Sequence, residues 1–323
     1  MVLRVDRTMV YQECLSVSLA CPVEQTIYGY YPSLGLNAFF VAIFALLALI
    51  QTGLGIYYKT YFFGSLVVAG CIAEVIGYGG RIMLNDNPYS GLGFNIQISC
   101  LIFAPSFTAA AIYVVFKSVV RTFGVAKSRI PPNWYLIIFM VCDVIALTLQ
   151  GTGGGLAGSA NDDQKQLDAG TDVMLAGIIF QVITMLVFIV LVIDYATRTI
   201  RSWDQVSEEA QLLSRLLLTR LFLCAMIIAI LTVFTRCIYR IAEMAGGWAN
   251  PIMRDEIGFT IMEGIMIVIA VLAMTICHPG YCFPAVGGRQ LSKNGHQNNQ
   301  PIERVEQTYE VDHMSKERKT SAH

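Results

Sequence analysis

Long stretches of this sequence carry no charged residue, and this feature limits the fold more than any other. Between Asp86 and Lys117 the chain has neither an acid nor a base. An α-helix rises about 1.5 Å per residue, so roughly 20 apolar residues cross a hydrocarbon layer about 30 Å thick. We predict seven such crossings, at residues 36–58, 62–84, 94–116, 134–156, 173–195, 218–239 and 257–277.

The composition excludes the soluble enzyme classes. Charged residues make up 14% of the chain, against about 25% in soluble globular domains. In lipid every backbone donor and acceptor needs an internal partner, and the apolar runs lack the alternation of barrel strands. The sequence therefore predicts an all-α membrane protein folded as a seven-transmembrane helix bundle.

Basic residues concentrate in two odd-numbered loops between the predicted spans. The third loop has Lys117, Arg121, Lys127 and Arg129, and the fifth has Arg198, Arg201, Arg215 and Arg220. The fourth loop has a single lysine, Lys165, against four aspartates. Because Lys and Arg in short loops stay on the cytoplasmic side, we predict an external amino terminus and a cytoplasmic carboxyl terminus.

The segments outside the spans divide the chain into three parts. We predict an extracellular amino-terminal segment at 1–33, the helix bundle at 34–282 and a disordered cytoplasmic tail at 283–323. The tail is polar and has too little apolar area to offset the entropy of ordering. Cys14 and Cys21 lie on the predicted external side, which is an oxidising compartment where a disulfide between them can form.

Ionisable and amide side chains recur inside the predicted spans. Each charged group there costs about 2.5 to 3.5 kcal/mol on insertion scales, so we expect these residues to face the bundle interior. Spacings of three and four residues place those of one span on a common helical face. The polar set comprises Glu74, Tyr78, Arg81, Asp143, Gln150, Gln181, Arg236, Tyr239, Arg240, Glu243, Glu256 and Glu263.

Glycine and proline mark places where helices approach closely or bend. Gly77 lies beside the polar face of the second span. In the fourth span Gly151 and Gly155 predict close approach of another helix, and the run Gly153-Gly154-Gly155 favours local unwinding. Pro105 predicts a kink in the third span that leaves one backbone carbonyl without its usual partner.

Two interpretations of the polar set stay open. The side chains either pair with one another and specify helix register, or they contact a transported molecule. A third option, extension to the lipid headgroups, is favoured for the four residues near the predicted outer ends, namely Arg81, Arg240, Glu243 and Glu256. Extension to the headgroups is less favourable for the deeper carboxylates, namely Glu74, Asp143 and Glu263.

Missing motifs exclude several seven-helix functions. All four histidines lie at residue 278 or beyond, so the spans cannot supply imidazoles to a catalytic zinc. The seventh span has no lysine for a retinal Schiff base, and no phosphate-binding P-loop motif occurs. We therefore predict a non-enzyme without a cofactor or a metal site.

The polar motifs resemble those of the fungal RTA-like family, also called lipid-translocating exporters. The resemblance covers about residues 28–280, and the chain differs from the usual family pattern at Gln51, Asp255 and Glu263. The matching motifs are Glu74-x-x-Gly77-Tyr78-x-x-Arg81, Pro105 with Tyr113, Asp143 with Gln150, Gly153 to Gly155, Gln181, Arg236-x-x-Tyr239-Arg240-x-x-Glu243, Glu256 and His278-Pro279-Gly280.

The resemblance implies a plasma-membrane exporter of amphipathic, lipid-like molecules. Family members export sphingoid long-chain bases, confer resistance to 7-aminocholesterol or take up protoporphyrin. The implied partners are membrane lipids and an amphipathic small molecule, with no nucleic acid. The alternatives are a seven-helix sensor of membrane lipid stress that transports nothing, and a porphyrin carrier.

The polar set suggests how a lipid headgroup could be sheltered. An ammonium group would be neutralised by a deep carboxylate, with Gln150 and Gln181 supplying hydrogen bonds, while the hydrocarbon tail stays in lipid. An anionic headgroup would instead favour Arg81 and Arg236.

Overall fold

The computed structural model describes residues 16–18, 21–160 and 163–283. Seven helices in this part of the chain are long and apolar enough to cross a membrane. The all-α, seven-span prediction is therefore confirmed, while the predicted tail lies almost entirely outside the described residues. The spans are α1 (Leu34–Tyr57), α2 (Tyr61–Asp86), α3 (Gly91–Phe123), α4 (Pro132–Gly158), α5 (Gln164–Arg201), α6 (Leu217–Ala245) and α7 (Glu256–Cys282).

Local residues set where these helices begin and end. Ser90 precedes α3, and its Oγ accepts a hydrogen bond from the Gly93 backbone N–H at 3.2 Å. Pro132 occupies the first turn of α4, where a missing N–H leaves no helical bond unmade. Gly124 follows α3 with φ +126°, a conformation that L side chains rarely adopt. These signals explain why α3 and α4 are separate helices.

The third helix is the centre of the bundle. Buried residues occur along the whole of α3, which packs against α2, α4, α6 and α7. Successive helices also pair with each other, α1 with α2, α4 with α5, and α6 with α7. Short connections produce this antiparallel packing of neighbours.

Aromatic rings fill the part of the bundle around the middle of α3. The Tyr113 and Phe188 rings lie 4.7 Å apart between centroids, and Phe116 meets Phe188 edge-on at 5.4 Å. Phe139 of α4 also packs against Phe188. Edge-to-face pairs add to the stabilisation from burial alone, so this region is apolar and closely packed.

Glycines carry the contact between α4 and α5, although not the predicted pair. Gly153 lies against the backbone of Gly170 and Met174, and a Cβ at Gly177 would lie 3.0 Å from the Ala146 carbonyl. Gly151 and Gly155 are exposed, and Gly155 has open space where a side chain would lie. The predicted Gly151/Gly155 approach is wrong because that face points away from α5.

The predicted unwinding at the glycine run is also wrong. The helix α4 continues through Gly154 to its last residue, Gly158.

The seventh span is not a uniform α-helix. Regular turns at Glu256–Phe259 lead into a wider stretch with π-helical hydrogen bonding at Thr260–Ile265, and α-helix resumes at Met266–Ile276. His278 then caps a short last turn, Pro279–Cys282, by accepting a hydrogen bond from the Gly280 N–H at 3.0 Å.

A test of the α4–α5 interface uses two glycines of one run. Gly153→Ala should lower stability by about 1 to 3 kcal/mol, because its methyl group would overlap the α5 backbone. Gly155→Ala introduces the same methyl into open space and should be neutral or slightly stabilising. Thermal unfolding of the two purified variants measures the difference; equal midpoints would contradict the interface.

Candidate functional site

A buried arginine on α6 holds four helices together. Arg236 is fully buried, and its guanidinium forms an ion pair with Glu74 of α2 at 2.5 Å. A second ion pair, at 2.7 Å, joins it to Glu263 of α7. The same group donates a hydrogen bond at 2.7 Å to the backbone carbonyl of Leu101 on α3. One side chain therefore connects α2, α3, α6 and α7.

The proline in α3 explains why the Leu101 carbonyl is available. In an α-helix the carbonyl of residue 101 would accept from the N–H of residue 105. Pro105 has no N–H, so that carbonyl is left for the guanidinium of Arg236. The predicted free carbonyl thus has a partner, and it belongs to another helix.

The wide turn of α7 positions the central acid of the site. Glu263 lies within Thr260–Ile265 and is fully buried. In addition to Arg236, it contacts Arg240, whose Nε lies 2.6 Å from Glu263 Oε1. Gly264 packs directly against the Phe40 ring of α1. Wide turns of this kind occur often at functional sites because they change the direction of side chains within a helix.

A third acid extends this group towards the end of α6. Arg240 also pairs with Glu243 at 2.9 Å, and Asn250 donates a hydrogen bond to the Glu243 carbonyl. We call the five side chains the ion network: Glu74, Arg236, Arg240, Glu243 and Glu263.

Three of the four residues expected at the headgroups are buried instead. Arg81 is 1% exposed, Arg240 8% and Glu243 1%. The expectation is wrong for them because protein covers the end of the bundle at this point. Glu256 is the exception, with 28% of its side chain exposed.

Residues 21–33 form the cover, which we call the amino-terminal cap. Asn85 and the Tyr89 hydroxyl donate hydrogen bonds to carbonyls of the cap, both at 2.8 Å. The Ser33 N–H of the cap donates to Glu256 at 2.6 Å. Cys21 is disulfide-bonded, whereas Cys14, its predicted partner, lies outside the described residues. The cap is thus attached to the ends of α2 and α7.

The cap and α7 together enclose Arg81 with aromatic rings. The Arg81 guanidinium lies 3.9 Å from the Phe259 ring centroid and 5.1 Å from that of Tyr28. It donates a hydrogen bond to the Tyr30 hydroxyl at 2.6 Å, and Glu256 lies 4.0 Å away. Burial raises the pKa of the Tyr30 phenol, which therefore stays neutral as an acceptor. Sequence reasoning missed Tyr28 and Phe259, since no spacing pattern links either ring to Arg81.

A second polar group lies between α3, α4 and α5. Gln150 donates to Gln181 at 3.0 Å, and Gln181 donates to Ser106 at 2.9 Å. A cavity of about 20 Å³ separates these amides from the ion network, bordered by both glutamines and both arginines. That volume fits about one water molecule, so this cavity is too small for a lipid headgroup. Ser106 was not predicted, although it follows Pro105 directly.

The remaining predicted residues lie near the ion network without joining it. Asp143 is 5% exposed, neighbours Tyr113 and Cys237, and has one carboxylate oxygen without a hydrogen-bond partner. Tyr78 stacks on Phe40 at 4.7 Å, and Tyr239 is half-buried with its hydroxyl beside the glycine at 258. The deep carboxylates therefore do not all converge: two share Arg236 and Asp143 stands apart. Gly77 of α2 packs against the side chain of Leu101, the residue whose carbonyl binds Arg236.

Most of the helix bundle matches the profile of one known family. A profile described as "RTA1 like protein" matches residues 67–286. The chain belongs to the RTA1-like family. The profile covers all five residues of the ion network and begins after the amino-terminal cap.

Relatives of this RTA1-like protein include named transporters from Saccharomyces cerevisiae. It is 30% identical over 282 residues to the sphingoid long-chain base transporter RSB1, covering 79% of this chain and 74% of the relative. It is 27% identical over 211 residues to protoporphyrin uptake protein 1, covering 64% and 65%. Protein RTM1 is 25% identical, covering 64% of each chain. No solved structure matches. The protein is thus a multi-pass membrane protein related to lipid transporters.

Removing the central arginine should destabilise the protein strongly. Arg236→Met leaves two buried acids, Glu74 and Glu263, without their common partner, a loss of about 3 to 5 kcal/mol. Arg129→Met breaks an exposed ion pair with Asp194 and should change little. Thermal unfolding in detergent compares the two, and a similar midpoint for both variants would argue against a central role for Arg236.

The attachment of the cap depends on the Tyr30 hydroxyl. Tyr30→Phe removes a hydrogen bond to a charged group, which contributes about 1.5 to 3 kcal/mol. We expect about tenfold faster hydrogen–deuterium exchange at residues 26–33. Tyr31→Phe is the matched control, because Tyr31 is 46% exposed. The same exchange rate in both variants would show that Tyr30 does not hold the cap.

Proposed function

We propose that this RTA1-like protein is a non-enzymatic translocator that moves amphipathic molecules with a cationic headgroup across the plasma membrane. Sphingoid long-chain bases are the foremost candidates, and amine-bearing sterol-like toxicants share the relevant chemistry. The single observation that carries the proposal is the excess of acid in the ion network. Three carboxylates there face two guanidiniums, all of them buried.

An ammonium headgroup fits this imbalance. Glu74 Oε2 and Asp143 Oδ2 are buried and have no hydrogen-bond partner among the described residues. An ammonium, whether primary or trimethylated, would bring one positive charge next to such an oxygen, and buried charges are tolerated only when they are paired. An anionic headgroup would add to the existing excess and is disfavoured. The name of RSB1, a relative at 30% identity, supports the same substrate class.

The amides and the wide turn suggest how a headgroup could pass. Gln150 and Gln181 lie across the small cavity from the ion network and offer hydrogen bonds to hydroxyl groups. The helices must separate before a headgroup enters, since the cavity has room for about one water. Pro105 of α3 and the stretch Thr260–Ile265 of α7 flank the network, and both lack regular α-helical bonding. Bending at these two places would open the interior while the hydrocarbon tail stays in lipid.

Transport can be measured directly in liposomes. The probe is a long-chain base with a fluorescent tail and a trimethylated amine, which cannot lose its charge and cross as a neutral molecule. The full-length protein should accelerate movement of this probe between leaflets, measured by chemical quenching of the outer leaflet. If the folded protein does not accelerate this movement, the proposal is wrong, and a sensor that transports nothing is favoured.

Acid-to-amide variants test the role of the carboxylates. Glu74→Gln and Asp143→Asn should each slow transfer about tenfold or more, the effect of losing roughly 1.4 kcal/mol of interaction with the cation. Asp194→Asn is the matched control, since Asp194 pairs with arginines on α5 and in the third loop, away from the network. Transfer at the wild-type rate in both deep variants, at equal protein content, would remove the carboxylates from the transport path.

A further inference from the structure

The ion network has one negative charge more than its own cations balance. Arg236 is shared between Glu74 and Glu263, and Arg240 is shared between Glu263 and Glu243. Glu263 therefore contacts two guanidiniums, whereas each of the other acids contacts one. With every group ionised, the network would carry a net charge of −1 deep in the protein.

No other described group supplies the missing positive charge to Glu74. The groups near its carboxylate are Cys71 and Tyr78 on α2, Cys100 on α3, Arg236 and Arg240 on α6 and Glu263 on α7. Helix α1 presents the rings of Phe40 and Phe44 to Tyr78 at this level and brings no titratable side chain. Arg81, further along α2, is held by the cap and Glu256.

The hydrogen bonds identify which acid is least compensated. Glu74 Oε1 accepts from Arg236, whereas Glu74 Oε2 is buried without a partner. Both oxygens of Glu263 lie within 3 Å of a guanidinium nitrogen. An uncompensated buried carboxylate is strongly destabilising, and binding a proton removes its charge. A proton on Glu74 Oε2 neutralises the network while the hydrogen bond from Arg236 to Glu74 Oε1 stays in place.

We propose that Glu74 carries a proton in the closed protein and releases it when a cationic substrate binds, so that the protein exchanges substrate for protons one for one. The inference rests on the proposed function. In the exchange the O–H bond of Glu74 breaks and the proton passes to water. The substrate cation takes its place beside the carboxylate, and the net charge of the network returns to its resting value. On the other side of the membrane a proton displaces the substrate.

The exchange has a definite direction under a pH gradient. At equilibrium the substrate ratio across the membrane equals the proton ratio, so the cation accumulates on the acidic side. One pH unit should give about tenfold accumulation. Where the exterior is more acidic than the cytoplasm, the exchange drives export.

The test uses the full-length protein in phosphatidylcholine–phosphatidylglycerol liposomes with the trimethylated fluorescent base. This probe carries no exchangeable proton, so any coupling to protons comes from the protein. Wild-type liposomes should concentrate the probe in the acidic leaflet about tenfold per pH unit. An ionophore that removes the pH gradient should abolish the accumulation, and Asp194→Asn should behave as the wild type.

The outcomes separate this inference from the proposed function. Probe that equilibrates rapidly but evenly under a pH gradient in wild-type liposomes overturns proton exchange and leaves transport standing. No acceleration at all overturns transport itself. Glu74→Gln fixes the network in its neutral form and should eliminate accumulation, whereas Glu74→Asp should retain it. Accumulation that persists in Glu74→Gln would show that another group carries the proton.

Discussion

Burial of a guanidinium in the bundle interior is the constraint on which the rest of this structure depends. A charged group there is tolerated only when it is paired and its remaining donors are satisfied. Arg236 meets both conditions with two carboxylates and one carbonyl, and these partners come from three other helices. The positions of α2, α3 and α7 relative to α6 are therefore coupled through one side chain. Apolar packing alone would allow those helices to slide more freely.

Two interruptions of regular helix make this arrangement fit. Pro105 leaves the Leu101 carbonyl without a partner in α3, and the wide turn of α7 directs Glu263 towards two arginines. Each interruption would weaken an isolated helix. Within the bundle the freed carbonyl and the redirected carboxylate both stabilise the guanidinium of Arg236, so local irregularity and tertiary contact support each other.

The sequence predicted which spans exist and that their charged residues face inward, because both follow from the energy of exposing backbone and charge to lipid. It also predicted the free carbonyl at Pro105. The burial of Arg81 could not be predicted, since it depends on the amino-terminal cap, whose aromatic residues show no helical periodicity. The contact at Gly153 was missed because three adjacent glycines all permit close approach, and only the neighbouring helix selects one of them.

The network that holds the fold together also limits what the protein can do. Its ion pairs are stable as long as the interior stays dry, because water would weaken every one of them. Under the proposed function, a headgroup must therefore replace contacts as it enters, rather than simply fill a preformed space. An ammonium can do this next to Glu74, whose second oxygen is already without a partner, so entry requires no loss of the pair with Arg236. The least satisfied atom of the network is thus the place where binding disturbs the fold least, and this is why a cation suits this interior better than an anion.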